Sequence, residues 1–205
     1  MSPHATRRVF LGFPRPPEAD PGLEAAQRLL LRAGWRGRPT ARAALHVTLL
    51  FAGEVDAATL DALAGVAGRA AAGTGAARLV LDHWALLPRR EAPRVLAAAA
   101  SRVPPPLAAL YRALREETRD LLVAAPVPPG AFLPHVTLMR RRPDDPPGRT
   151  PARPPSIVWP VDRLVLWESH LRPEGPRYEE IAAWPLGTKK AAAFGRPDGS
   201  GPTAD

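Results

Sequence analysis

His46-Val47-Thr48-Leu49 occurs a second time in this chain, as His135-Val136-Thr137-Leu138, so each half of the 205-residue sequence carries one copy. Alternate residues of an extended strand share a face, so each copy places one imidazole and one hydroxyl on one side and its valine and leucine on the other. Only five histidines occur in the chain, and two of them begin identical tetrapeptides. Such a duplication indicates an internal structural repeat, in which two histidines and two threonines surround one space.

The composition is typical of a globular protein. With 45% hydrophobic and 23% charged residues, the chain can form one or two compact domains with a substantial core. The absence of cysteine excludes disulfides, zinc–thiolate sites and a cysteine nucleophile. No apolar run of about 18 residues occurs, and the first residues do not resemble a signal peptide. We therefore expect a cytoplasmic, monomeric protein.

The net charge of +8 suits a polyanionic partner such as RNA. Lysine occurs only at positions 189 and 190, however, and all other basic residues are arginines, alongside 27 prolines. This skew toward Arg, Ala, Pro and Gly is typical of a GC-rich genome. The charge is therefore compatible with a nucleic-acid partner but is weak evidence for one.

Hydrophobic periodicity and turn residues predict a succession of strands and helices. Strands are expected at residues 8–13, 44–52, 77–87, 94–100, 132–140, 161–168 and 178–184. Helices are expected at about 20–33, 56–72 and 104–123, the second of them capped by Asp56. A proline-rich loop at 125–130 precedes the second motif.

Each half thus contains a strand, a helix and a motif strand, followed by further elements. We expect an α+β fold of two pseudo-symmetric lobes, at about residues 7–90 and 91–186, each an antiparallel sheet with outer helices. The two motif strands would then face a central cleft. Residues 7–186 would form a single domain, and residues 187–205 a flexible tail.

Two His/Thr pairs around one space suit acid–base chemistry on a phosphate. In-line attack of water on a cyclic phosphodiester needs a base on one side of phosphorus and an acid on the other. The ordinary histidine pKa of about 6.5 makes both protonation states accessible near neutral pH. A threonine two residues on can donate a hydrogen bond to a phosphate oxygen. Because one strand approaches from one flank only, the chemistry needs both copies.

On these motifs the chain resembles the two-histidine (2H) phosphoesterase superfamily, specifically the RNA 2′,3′-cyclic phosphodiesterases, which are also described as 2′-5′ RNA ligase-like proteins. That family carries a His-x-Thr/Ser-x motif on a strand of each of two pseudo-symmetric lobes. The match continues beyond the first motif to Phe51 and residues 53–55, and it includes residues 132–140 around the second. The opening strand and Tyr178 are also similar, and the resemblance covers roughly residues 7–186.

The resemblance implies hydrolysis of an RNA terminal 2′,3′-cyclic phosphate to a 2′-phosphate. It makes His46 the proton donor to the departing 3′ oxygen and His135 the proton acceptor that activates water, with Thr48 and Thr137 binding the phosphate oxygens. It also implies the reverse reaction, ATP-independent 2′-5′ ligation to a 5′-hydroxyl. The sequence contains no P-loop, which agrees with a reaction that does not use ATP. We expect no cofactor and no metal, because no Asp or Glu lies two or four residues beyond either histidine.

Arg140 is a further candidate for substrate binding. The family places an arginine here, where the guanidinium would clamp the phosphate. Strict alternation from His135 instead puts Arg141 on the face of the motif. A bulge or the end of the strand would resolve this conflict, and we expect Arg140 to be the substrate ligand. The alternative is that residues 140–142 form a solvated basic rim.

The other histidines are assigned no role in catalysis. We expect His83 to be a sheet or rim residue, His170 to be structural or solvated, and His4 to lie in a disordered start. Three tryptophans in apolar strands, Trp159, Trp167 and Trp184, are expected in the core. Two other functions stay open: a 2H phosphodiesterase of a small cyclic nucleotide or tRNA-splicing by-product, and a non-catalytic module that binds RNA or nucleotides. The near-identical motifs do not by themselves decide which histidine is the acid.

Overall fold

A computed structural model describes residues 6–122, 132–173 and 175–187. The predicted loop at 125–130, the predicted tail beyond Gly187 and His4 lie outside these residues. Within them, no helix has the length and apolar character needed to cross a membrane.

The described residues form ten β-strands and three α-helices. The strands are β1 (Arg7–Pro14), β2 (Arg38–Pro39), β3 (His46–Val55), β4 (Ala77–Leu81), β5 (His83–Leu87), β6 (Val95–Ala99), β7 (His135–Arg140), β8 (Ile157–Val161), β9 (Arg163–His170) and β10 (Arg177–Pro185). The helices are α1 (Asp20–Arg32), α2 (Ala57–Ala72) and α3 (Pro105–Glu117). As predicted, Asp56 caps α2, because its Oδ1 accepts a 2.8 Å hydrogen bond from the backbone N–H of Thr59.

Eight of these strands form one sheet in the order β10-β9-β1-β3-β7-β6-β5, with β2 also paired to β7. Every pairing between the named strands is antiparallel, and β4 and β8 form a separate two-stranded sheet. The predicted α+β class with antiparallel sheets is confirmed. The two motif strands, β3 and β7, are neighbours at the centre of the large sheet, so both motifs lie on one continuous surface.

The two sides of this sheet take strands from both halves of the chain. β9 and β10, late in the sequence, extend the side that holds β1 and β3, whereas β5, from the first half, extends the side that holds β7 and β6. A division near residue 90 therefore does not divide the sheet, because the chain crosses between its two sides. That residues 7–186 form a single domain stays a prediction.

Several predicted elements differ from the structure; the third predicted helix, for example, ends at Glu117 and not near residue 123. The strand predicted at 77–87 is two strands in different sheets, separated at Asp82, whose carboxylate accepts hydrogen bonds from Ser101 N–H and hydroxyl at 2.9 and 2.5 Å. β3 does not end at Gly53, which takes a φ of +77° within the strand beside a break in register with β1. β8 was not predicted because it contains Pro160, which a strand of a two-stranded sheet tolerates.

The main core lies on the face of the sheet that the helices cover. As predicted, it contains the apolar residues of both motifs, Val47, Leu49, Val136 and Leu138. The opposite face carries an aromatic cluster beside β3 and an alanine cluster beside β7. These clusters are formed by Phe10, Val165 and Trp167, and by Ala85, Ala97 and Ala99, respectively. The motif histidines and threonines therefore lie on the face away from the main core.

Candidate active site

His46 begins β3 with both ring nitrogens in hydrogen bonds. Its Nδ1 lies 2.9 Å from the carbonyl oxygen of Ala44, and because a carbonyl can only accept, Nδ1 carries the hydrogen. In the neutral ring Nε2 is then an acceptor, and it lies 3.0 Å from Oγ1 of Thr48, which donates to it. The first motif thus forms a His–Thr pair on the open face of the sheet.

His135 repeats this arrangement at the start of β7. Its Nδ1 lies 2.9 Å from the carbonyl oxygen of Leu133, which is two residues earlier, as Ala44 is for His46. Nδ1 therefore carries the hydrogen in this ring as well, and Nε2 is left as an acceptor. The same backbone contact fixes the tautomer of both imidazoles.

The two motif strands meet at Val47 and Val136, which are paired in antiparallel register. Antiparallel pairing about this point places His46 across from Thr137 and Thr48 across from His135. Both predicted His/Thr pairs therefore come together around one site, related by an approximate two-fold axis.

A bulge in β7 brings Arg140 to the same face. The register of β7 with β6 skips one residue at Leu138, so Leu138 and Met139 are both buried. Arg140 then returns to the face of His135, and it borders two cavities that also reach His46. This bulge resolves the conflict between Arg140 and Arg141 in favour of Arg140.

Arg141 faces away from the site. Its guanidinium carbon lies 4.9 Å from the centre of the Trp35 ring. Its Nη1 donates a 2.9 Å hydrogen bond to the carbonyl oxygen of Pro93. Arg141 therefore packs against the body of the protein and is not part of a solvated rim.

The equivalent bulge in β3 presents Phe51, which sequence reasoning did not select as a site residue. The register of β3 with β1 skips Leu49, so Phe51 returns to the face of His46. Phe51 lies five residues after its histidine, as Arg140 does in the second motif. Phe51 is 41% exposed, and the guanidinium carbon of Arg8 lies 4.5 Å from its ring centre. The shared offset from the histidine was the signal that could have identified Phe51.

Aromatic rings surround His46. The ring centres of Phe10, Tyr178 and Trp167 lie 4.8, 4.9 and 5.8 Å from that of the imidazole. This burial lowers the pKa of His46 to about 4, with the positive charge of Arg140 acting in the same direction. The ring is therefore neutral at pH 7.

Burial also lowers the pKa of His135, and the charge of Arg140 adds to this effect. Burial raises the pKa of Tyr178, so its hydroxyl keeps its proton. In the unliganded protein both imidazoles are therefore neutral at pH 7. An anion beside the rings would oppose these shifts, because it favours the protonated imidazole.

Two cavities open from the motif side chains, and both are bordered by His46, Arg140 and Tyr178. One, of about 470 Å³, extends over the exposed Phe51. The other, of about 360 Å³, extends past Thr137. The site therefore has room for ligand groups in two directions from His46 and Arg140.

The two remaining described histidines contact carboxylates. Nδ1 of His83 lies 3.2 Å from Oδ1 of Asp82, and Nε2 of His170 lies 3.4 Å from Oε2 of Glu179. Both histidines are partly exposed. In the part of the chain that the structure describes, no group of three His, Asp or Glu side chains could hold a metal ion.

Known proteins share this fold and sequence pattern. The family described as the 2′-5′ RNA ligase superfamily matches residues 13–173. A Thermus thermophilus protein named RNA 2′,3′-cyclic phosphodiesterase is 31% identical over 202 residues, which are 94% of this chain and 99% of the relative. A solved structure from the same organism has a TM-score of 0.77 and 30% identity, covering 89% of this chain and 99% of its own.

The structure of E. coli LigT complexed with 3′-AMP has a TM-score of 0.70 and 27% identity, covering 89% of this chain and 98% of that one. The family match and the Thermus relative agree with the resemblance that the paired motifs predicted. The chain therefore belongs to the 2′-5′ RNA ligase superfamily of two-histidine phosphoesterases.

Proposed function

We propose that this chain hydrolyses the 2′,3′-cyclic phosphate at the end of an RNA to a 2′-phosphate. The observation that carries this proposal is the meeting of two His/Thr pairs on one face of the sheet, each with an imidazole Nε2 free of hydrogen. The Thermus relative bears the name of this activity. E. coli LigT has been solved in complex with 3′-AMP and with phosphate, which together represent the nucleoside and the phosphate of the proposed substrate.

The approximate two-fold axis suits an in-line reaction. Nε2 of His135 takes a proton from water, and the water oxygen attacks phosphorus. The bond between phosphorus and the 3′ oxygen breaks, Nε2 of His46 gives a proton to that oxygen, and the 2′ ester remains. Thr48 and Thr137 donate their hydroxyls to the non-bridging phosphate oxygens and hold phosphorus between the two rings.

His46 acts as the proton donor only after it has taken up a proton. In the free protein its pKa of about 4 keeps it neutral, but the negative charge of a bound phosphodiester raises that pKa. Because Nδ1 already donates to Ala44, the added proton resides on Nε2, toward the substrate. The hydroxyl of Thr48 is then released from Nε2 and donates to the phosphate.

Arg140 supplies a fixed positive charge to the same phosphate. It is exposed to both cavities, and its guanidinium forms no ion pair with any carboxylate of the described residues. A guanidinium in this position binds two phosphate oxygens at once and stabilises the charge that develops during the reaction.

The test is product analysis on an oligoribonucleotide that ends in a 2′,3′-cyclic phosphate, followed by ³¹P NMR. We expect the cyclic signal to be replaced by that of a 2′-phosphomonoester alone. A 3′-phosphate product would mean that the wrong oxygen leaves, and an unchanged cyclic signal would refute the function. The same oligonucleotide with a linear 3′-phosphate serves as the control and should not react.

A further inference from the structure

Gln27 is a polar residue on the side of α1 that packs toward the core. Leu23 and Leu30, one turn before it and one turn after it, are each 1% exposed. Residues three and four apart share one face of a helix, so an apolar side chain is the usual occupant of such a position. Gln27 is half-buried, and its carboxamide therefore needs hydrogen-bond partners within the protein.

The carboxamide of Gln27 donates to two backbone carbonyls from different parts of the chain. Its Nε2 lies 2.9 Å from the carbonyl oxygen of Thr40 and 3.0 Å from that of Leu138. Both partners can only accept, so the nitrogen of the amide and not its oxygen must face them. The two N–H groups of Nε2 are thereby both used, and Gln27 connects the segment after β2 to the strand of the second motif.

Leu138 is the residue at the bulge of β7, because the register with β6 skips it. On the other side of the strand, β7 is paired with β3 before this residue and with β2 after it. The carbonyl oxygen of Leu138 lies in the gap between those two pairings and accepts two hydrogen bonds there. One comes from Nε2 of Gln27, and the other, of 2.9 Å, comes from the backbone N–H of Thr40. The bulge is therefore stabilised by donors from outside the paired strands.

This bulge determines which arginine faces the reacting site. Without it, alternation from His135 would bring Arg141 to that face and turn Arg140 toward the core. Beyond Arg140 the strand is held again, since the backbone N–H of Arg141 donates a 2.8 Å hydrogen bond to the carbonyl oxygen of Arg94. Arg140 thus lies between two fixed points, the carbonyl of Leu138 before it and the backbone of Arg141 after it.

We infer that Gln27 is a positioning residue, which fixes the bulge of β7 through the carbonyl of Leu138 and so keeps Arg140 on the open face of the sheet. The inference rests on the proposed function for the role of Arg140. Gln27 belongs to a helix on the core side of the sheet, so it acts through the backbone of the second motif and not on the substrate. Loss of its amide would leave the carbonyls of Thr40 and Leu138 with one donor fewer each, which makes the register without a bulge more accessible.

The experiment is a double-mutant cycle of Gln27→Met and Arg140→Ala on an oligoribonucleotide with a 2′,3′-cyclic phosphate end. Methionine keeps the unbranched shape and the helix propensity of glutamine but cannot donate. We expect Gln27→Met to lower kcat by about tenfold in the natural background and by less than about twofold when residue 140 is alanine. The control is Thr118→Val, which removes the 2.7 Å hydrogen bond from Oγ1 to the carbonyl oxygen of Leu114 at the end of α3 and should leave kcat unchanged. Gln27→Glu, which replaces the donor by an acceptor of the same shape, takes the place of Gln27→Met if the latter does not fold.

Amide hydrogen exchange followed by NMR gives a second readout, which does not depend on activity. The amides of Thr40 and Arg141 donate on either side of the bulge, and we expect them to exchange about tenfold faster in Gln27→Met than in Thr118→Val. Equal exchange in the two variants, or an equal loss of kcat with and without Arg140, would overturn the inference and leave the proposed function intact. The proposed function fails separately, if the natural protein does not hydrolyse the cyclic phosphate. In that case the exchange rates alone decide whether Gln27 holds the bulge: faster exchange supports the inference, and equal exchange contradicts it.

Discussion

The two motif strands have the same local geometry in different surroundings. In each, the histidine Nδ1 donates to the carbonyl two residues earlier, a bulge follows the threonine, and the residue five after the histidine returns to the open face. The tetrapeptide and its strand therefore determine the tautomer and direction of the imidazole. The neighbouring strands determine everything else about its environment.

Those neighbours differ at the positions paired with the residues of the open face. The first motif lies against the aromatic rings of β1, β9 and β10, whereas the second lies against alanines of β5 and β6. Gly12 is paired with Thr48 where Ala97 is paired with Thr137. Phe51 occupies the position that Arg140 occupies in the second motif. The site therefore has an aromatic flank, formed by the first motif and its neighbours, and a cationic flank, formed by the second motif with Arg140.

Among the substitutions that test this comparison, the removal of the Arg140 side chain should have the largest effect. Arg140→Ala removes the charge that faces the phosphate, and we expect kcat/KM to fall by about 10²- to 10³-fold. Its counterpart Phe51→Ala should act mainly on KM, by about tenfold or more, because it removes only a stacking surface. Steady-state kinetics on a cyclic-ended oligonucleotide measures both. Equal losses of kcat in the two variants would contradict the division into flanks.

A smaller effect, on stability, is expected from substitutions at Gly12 and Ala97, which are paired with Thr48 and Thr137. A Cβ at Gly12 would lie 2.4 Å from the carbonyl oxygen of Val47 and 3.2 Å from the Trp167 ring, so Gly12→Ala must displace the backbone of the first motif. We expect it to lower the free energy of unfolding by about 1–3 kcal/mol, measured by urea denaturation. The opposite change, Ala97→Gly, should cost only about 0.5–1 kcal/mol. A Gly12→Ala variant as stable as the natural protein would contradict this prediction, because it would show that β1 and β3 accommodate the added methyl group without strain.

The smallest expected effect is on the pH optimum of the natural protein, which should lie below that of a pair of histidines with the ordinary pKa of about 6.5. Below the lower of the two histidine pKa values both rings are protonated and no base is present; above the higher value both are neutral and no acid is present. The pKa of His46 is about 4, and that of His135 is lowered from its ordinary 6.5. The pH profile of kcat/KM, which reports the free enzyme, should therefore peak below about 6.5. A maximum above pH 7 would contradict the burial of the first motif.

The sequence was sufficient to predict the paired motifs, their open face and the α+β class, because period-two alternation and a repeated motif are local signals. It was not sufficient for the strand order, since β9 and β10 join the first motif only through tertiary pairing. Trp159 and Trp167 are buried, as predicted, but nothing in the sequence indicated that Trp167 packs beside His46. Alternation counted from His135 pointed to Arg141, and only the register with β6 reveals the bulge that selects Arg140.

The central claim is that the two motifs form one acid–base site. Single-turnover rates on an oligoribonucleotide with a 2′,3′-cyclic phosphate end, measured for His46→Ala and His135→Ala, test it most directly. We predict that each variant still binds the oligonucleotide in an anisotropy titration but loses about 10²- to 10⁴-fold in rate. A rate close to that of the natural protein in either variant would contradict the claim, because one motif would then be sufficient for the reaction.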